Sequence, residues 1–239
     1  MVDSQPAPLL IPDPPITIAI DGYSACGKST LARRMAEELG YVYLDTGAMY
    51  RAVTLHLLRR DLDWEQEEAL EPELDRIYLQ FIVDPDTRKP EIHLNGENVE
   101  GAIRTMQVAD RVSEVASVSA VRRFLVRRQR EMGQEGGVVL DGRDIGTVVF
   151  PKAEFKLFVT ADFEVRVERR LLELQRKGLE VVREEVAANL RKRDHEETTR
   201  EDSPLRQAED ALSLDTSKLS IDEALQTAFG MLQNQFQVK

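Results

Sequence analysis

Between the apolar run Ile16–Ile20 and the amphipathic stretch Leu31–Leu39 lies Gly22-Tyr23-Ser24-Ala25-Cys26-Gly27-Lys28-Ser29. The spacing is G-x-x-x-x-G-K-[ST], and a strand before it and a helix after it are the flanks that spacing needs. The two glycines permit a tight turn and a close approach of the backbone. Amides left free at the start of the following helix then converge on one point and favour an anion there. In such a loop Lys28 reaches β- and γ-phosphates, and the Ser29 hydroxyl is a ligand for Mg²⁺. Thr30 continues the loop into the helix. Cys26, the single cysteine, sits inside the loop, where a small filler is favoured over a redox sensor.

Further apolar runs at Val42–Leu44, Val138–Leu140, Phe155–Val159 and Ala211–Leu214 read as buried strands. They alternate with helical patterns at Ala48–Arg60, Val108–Met132 and Glu164–Lys177. Alternation of this kind predicts an α/β fold, a parallel five-stranded sheet flanked by helices. Functional loops then belong at the carboxyl ends of the strands, which is where the polar motifs fall. Residues 62–105 break the pattern: they hold "LQFIVD", then "EIHLNGENVEG", whose Asn95-Gly96 pair signals a hairpin, and together they predict a small antiparallel insert preceded by a helix. The charge-dense stretch "NLRKRDHEETTREDSPL" fits either a solvated helix end with a loop or a mobile lid.

The formal net charge is −11, which argues against indiscriminate binding to nucleic acid or acidic membranes. Arginines nevertheless cluster at 122–130, 166–170 and 191–193. Individually they read as helix faces balanced by nearby glutamates; collectively they could hold a small polyanion. No run approaches the ~18 apolar residues of a spanning helix, and the proline-rich first fifteen residues do not read as a signal peptide. A cytoplasmic location is expected from the lone cysteine. No exposed heptad seam points to a dimer, so a monomer is expected.

Two further motifs narrow the chemistry. Asp45-Thr46-Gly47-Ala48-Met49-Tyr50-Arg51 places a hydroxyl and an arginine where the second strand meets its helix. Arg51 could grip a second phosphate through two parallel hydrogen bonds. By itself the string fits equally a capped helix start, with Thr46 as N-cap and Arg51 at the surface. In "VVLDGRDIGTVVFP", Asp141 ends a strand as a Walker-B acid does and could hold Mg²⁺ through water. Arg143 and Asp144 follow, and Asp144 could accept a hydrogen bond from the exocyclic amine of cytosine. The alternative is a turn closed by internal ion pairs. The guanine-reading Asn-Lys-x-Asp string of GTPase switches is absent.

With these motifs together the chain resembles the bacterial cytidylate kinases from about Ile16 to Phe229. The resemblance is carried by "GYSACGKST", "LDTGAMYR", "IRT", "RRQR", "DGRDIGTVVFP" and Arg193-Asp194. It implies phosphoryl transfer from ATP to CMP or dCMP with Mg²⁺, in pyrimidine nucleotide metabolism. A single kinase domain over 16–239 is expected behind a disordered, proline-rich tail of residues 1–15. The core spans 16–61, 106–189 and 206–230, with a nucleoside-monophosphate-binding insert near 62–105 and a lid near 190–205. Carried over residue by residue, Thr46 and Arg51 bind the acceptor phosphate, and Ser113, Arg122 and Asp144 read cytosine. Arg143 and Arg193 contact phosphates during transfer, Arg200 places the acceptor, and Arg169 packs on ATP. Three positions depart from the pattern: Tyr23 replaces proline, Ala25 replaces glycine, and Glu197 replaces an aspartate that contacts the sugar.

No catalytic base is required, because a nucleoside monophosphate has a second pKa of about 6 and is already nucleophilic at pH 7. His56, His93 and His195 have no partner at metal-ligand spacing and read as structural or solvated, and Trp64 as packing within the insert. Competing readings are a kinase of another acceptor (UMP, AMP or a non-nucleotide), a nucleic-acid-binding regulator using Arg122–Arg130, and a nucleotide-binding module without catalysis.

Overall fold

The structure, a computed structural model, describes residues 12–87 and 89–237. A parallel sheet occupies the centre, with strand order β2-β6-β1-β7-β8. Its strands are β1 (Thr17–Gly22), β2 (Val42–Asp45), β6 (Val138–Gly142), β7 (Phe155–Thr160) and β8 (Leu212–Asp215). All five are the expected strands, each extended or trimmed by one to three residues. Residues facing both sides of β1 are buried, because helices cover both faces. Helix α1 (Lys28–Leu39) packs Leu31, Met35 and Leu39 against Ile18, Ile20 and Phe155, and is stopped by Gly40 in the left-handed region. Helix α2 (Thr46–Arg59) leads from β2 into the insert. Its N-cap is Asp45, whose Oδ1 accepts the Ala48 amide at 2.8 Å; Thr46 is therefore not the cap.

The insert holds α3 (Glu67–Leu74) and an antiparallel sheet of β3 (Leu79–Val83), β4 (Pro90–Leu94) and β5 (Glu97–Asn98). Asn95 and Gly96, both at positive φ, make the expected hairpin turn. A 3₁₀ turn at Ala102–Arg104 returns the chain to the core.

The expected single helix Val108–Met132 is two helices, α4 (Met106–Ser117) and α5 (Ser119–Gly133). Val118 is extended at φ −72°, ψ 119°, and turns one axis away from the other. The break is bridged by Arg122, whose Nη1 donates to the Ala116 carbonyl at 3.2 Å, one of the orphan acceptors at the end of α4. Helix α6 (Phe163–Arg176) follows β7, and α7 (Arg183–Thr199) crosses above it. The charged stretch "NLRKRDHEETTREDSPL" is thus mostly helix. Helix α8 (Ile221–Gln237), which no sequence pattern above singled out, closes the core through Leu225, Phe229 and Leu232.

Of the N-terminal tail, residues 1–11 lie outside the described residues; Pro12 is buried, and the Pro15 carbonyl lies against Gly136. No helix among the described residues is long and apolar enough to cross a membrane.

Gly22 ends the strand that carries the phosphate-type loop. A Cβ there would lie 2.1 Å from the Val159 carbonyl oxygen of β7, its neighbour in register. The obstacle is backbone in a central strand, so nothing can move aside. Gly22→Ala is expected to destabilise the fold by about 3 kcal/mol or more, read as a lowered midpoint in urea unfolding; an unchanged midpoint would contradict the strand spacing.

Candidate active site

Parallel pairing sets the site. Asp45 of β2 lies in register with Asp141 of β6, and Asp21 of β1 with Gly142. The second motif, the Walker-type acid and the Gly22–Ser29 loop therefore reach one edge of the sheet together. A cavity of about 770 Å³ opens there, large enough for two nucleotides end to end. Of the expected site residues, all but Gly22 and Tyr23 line it.

At the loop, Gly27 takes the left-handed conformation (φ 92°), and so does Ala25 (φ 61°), a conformation that costs a residue with a Cβ about 1–2 kcal/mol. Lys28 folds back so that Nζ donates to the Tyr23 carbonyl at 3.1 Å. Burial, seconded by Arg143, pulls its pKa below the ordinary lysine value. Cys26 is fully buried in the core under the loop, as a filler would be. The Tyr23 ring turns away from the cavity and lies 5.0 Å from the Arg166 guanidinium. Arg169 is anchored below the loop, donating to the Cys26 and Thr216 carbonyls at 3.3 and 2.7 Å.

Asp141 joins three segments. Its Oδ2 accepts the Ser29 hydroxyl at 2.6 Å and its Oδ1 the Tyr43 hydroxyl at 2.7 Å, while its carbonyl accepts the Thr46 hydroxyl at 2.6 Å. Ser29 and Asp141 together present hard oxygen donors beside Lys28, a set that fits Mg²⁺ with bound water.

On the acceptor side, Arg51 and Arg104 both converge on Asp45, at 3.3 and 3.2 Å. Burial opposes the charge on Asp45, but the two guanidinium groups outweigh it and hold the carboxyl below its usual range. Arg51 Nε is buried without a partner. Arg51 is thus turned inward rather than lying at the surface. Arg104, although it stands in the quoted "IRT", was assigned no role from sequence; only the fold of the insert shows that it joins Arg51.

Deeper in the cavity Arg122, 2% exposed, donates to Asp144 Oδ2 at 2.5 Å. Tyr50 lies beneath it, the guanidinium 5.8 Å from the ring centroid. Arg200 approaches Asp144 Oδ1 at 3.8 Å, and Asp202 approaches Arg122 Nε at 3.7 Å. Ser113 reaches the same cavity because α4 and α5 are bent at Val118.

Across from Lys28, Arg143 donates to Glu197 at 2.6 Å and to the Ser24 hydroxyl at 2.8 Å. Arg193 donates to the other oxygen of Glu197 at 3.3 Å. Burial works against a charged Glu197, but Arg143 and Arg193 outweigh it and hold the carboxyl down at about 2. Helix α7 is tied to α6 by Arg166, which forks onto Asp194 at 3.1 and 2.8 Å. His56 of α2 lies against Glu73 of α3 at 3.4 Å, joining α2 to the insert.

Residues 18–234 match a family model described as cytidylate kinase. A cytidylate kinase of Parabacteroides distasonis is 54% identical over 211 residues, 87% of this chain and 92% of that protein. One from Bacteroides fragilis is 51% identical over the same shares of both chains. Among solved structures, a shikimate kinase from Bacteroides thetaiotaomicron matches with a TM-score of 0.49 at 12% identity, covering 93% of this chain and 98% of that one. An alignment this long and this close, together with the matched model, places the chain in the cytidylate kinase family.

Proposed function

We infer that this protein transfers the γ-phosphoryl group of ATP to CMP and dCMP, giving ADP and CDP or dCDP. The observation that carries the reading is the buried Arg122–Asp144 pair, which lines the same cavity as the phosphate-type loop. A carboxylate held there accepts from the N4 amine of cytosine. Uracil offers a carbonyl oxygen at the same place, acceptor against acceptor, and a site built to hydrogen-bond one ring rejects the other by as much as ~10⁴–10⁵.

The donor's phosphates are taken by the amides of Gly22–Thr30 and by Lys28. Ser29 and, through water, Asp141 are the residues that would hold Mg²⁺, which neutralises charge on the β- and γ-phosphates when bound. Thr46, Arg51 and Arg104 grip the acceptor phosphate, whose oxygen attacks the γ-phosphorus. The bond to the β,γ-bridging oxygen breaks and ADP departs with that electron pair. Arg143 and Arg193 stand between the two phosphates, where charge accumulates during transfer. Ser113 and Arg200 support the cytosine contact, and Arg169 steadies the loop beneath ATP. Helix α7 and the segment to Leu205 act as the lid, excluding water from the γ-phosphoryl group.

ADP release from Mg-ATP, measured in parallel with CMP, dCMP, UMP, AMP and no acceptor, tests the reading. Rapid turnover with CMP and dCMP is expected; equal release without acceptor would refute it. Asp144→Asn is expected to lower kcat/KM for CMP about 10- to 100-fold, the worth of one good base contact. Its loss with UMP should be smaller, since the amide can donate to O4; an equal loss with both acceptors would show that Asp144 does not read the base. Asp141→Asn should raise the Mg²⁺ concentration for half-maximal velocity at least about tenfold, and an unchanged Mg²⁺ dependence would exclude Asp141 from metal binding.

A further inference from the structure

We propose that Glu197 is a positioning residue that sets Arg143 and Arg193 over the transfer site and does not discriminate ribose from deoxyribose. The proposal rests on the reading of the cavity as the place where ATP meets CMP or dCMP. Its ground is the way both carboxylate oxygens are spent. Oε2 accepts from Arg143 Nε at 2.6 Å, and Oε1 from Arg193 Nη2 at 3.3 Å. Arg193 stands one helical turn before Glu197 on α7, whereas Arg143 follows β6 in the core. One carboxylate thus joins lid to core through the two guanidinium groups assigned to phosphate.

The electrostatics require such a group. Lys28, Arg143 and Arg193 converge on one buried place, and like charges there repel. The other carboxylate nearby, Asp141, is already occupied by the Ser29 and Tyr43 hydroxyls. Glu197 is 9% exposed, so its charge is little screened. With its nitrogen Nε thus fixed, Arg143 keeps Nη2 on Ser24 and Nη1 on the Gly142 carbonyl at 3.2 Å, which orders the whole guanidinium. Arg193, by contrast, retains a buried Nε with no partner, a donor still free for a phosphate oxygen.

Side-chain length matters as well as charge. An aspartate is shorter by one methylene, roughly 1.5 Å of reach, and from α7 it can serve Arg193 or Arg143 but not both. A glutamine keeps one acceptor and turns an NH₂ toward the second guanidinium. Misplacing the arginines by about 1 Å is enough to slow transfer about 100-fold.

The test compares Glu197→Gln and Glu197→Asp with the wild type, using CMP and dCMP at saturating Mg-ATP, with thermal melting of each protein alongside. The expected result for Glu197→Gln is a fall in kcat of about 10- to 100-fold. That fall should be the same for both acceptors, with KM for CMP changed less than about threefold. Glu197→Asp, which keeps the charge, should fall between and is read in the same way if the glutamine variant melts without a cooperative transition. A shift of about fivefold or more in the CMP-to-dCMP ratio of kcat/KM would make Glu197 a sugar reader and overturn the proposal, as would an unchanged kcat. Wild-type protein that turns over neither acceptor would instead refute the functional reading itself.

Discussion

Everything at the site hangs on the pairing of β6 between β2 and β1. That pairing puts Asp141 at the junction of the Gly22–Ser29 loop, β2 and the start of α2. From there a single residue accepts three hydroxyls, from Ser29, Tyr43 and Thr46. The next strand neighbour adds a second brace. Asp21, at the end of β1, accepts the Ile145 and Gly146 amides, each at 2.7 Å. Arg143 and Asp144 therefore sit in a turn fastened at both ends, Asp141 on one side and Ile145 on the other. Placement to within a few tenths of an ångström is what transfer between two anions needs, and here backbone register supplies it.

A net acidic chain with clustered arginines is resolved by where the partners lie. The more exposed arginines of α5 and α6 pair at the surface: Arg123 with Glu71 of α3, Arg127 with Asp75 at the end of α3, and Arg170 with Glu173 within α6. Such pairs contribute little, about 0–1 kcal/mol each. The buried ones are different. Arg122 is held by Asp144, Arg143 by Glu197 and Arg166 by Asp194. Removing one partner from such a pair leaves an uncompensated buried charge, about 3–5 kcal/mol. The reading of arginines balanced by nearby carboxylates thus holds for exposed and buried members alike, and exposure decides how much each pair is worth.

The sheet was legible because parallel central strands are continuous apolar runs, and their loops carry the motifs. The Asn95-Gly96 hairpin was legible from turn chemistry alone. The break at Val118 was not, since apolar periodicity persists through it; the only local hint is serine on either side. That break is why nine residues separate Ser113 from Arg122 in sequence and yet both line one cavity. Arg104 escaped assignment for another reason: its partner Asp45 is 59 residues away, and nothing local foretells the contact. Asp45 itself read only as the end of a strand, although it caps α2 and gathers two arginines.

The segment proposed as a lid shows how charge and apolar burial divide their work. Helix α7 buries few apolar side chains, with Val186, Ala187 and Leu190 set against Val167 of α6. Beside them Arg166 ties Asp194 to the loop, donating to the Ser24 carbonyl at 3.4 Å and lying over the Tyr23 ring. This end of the lid is fastened by groups that no phosphate needs. Toward Leu205 the contacts change character. Glu197, Arg200 and Asp202 meet Arg143, Asp144 and Arg122, all groups proposed to bind nucleotide. Here charge, rather than apolar burial, joins α7 and the segment after it to the core. Tyr23 and Ala25 belong to the apolar side of this division: the Tyr23 ring lies against Arg166, and Ala25 packs against the cluster of Val167, Val186, Ala187 and Leu190.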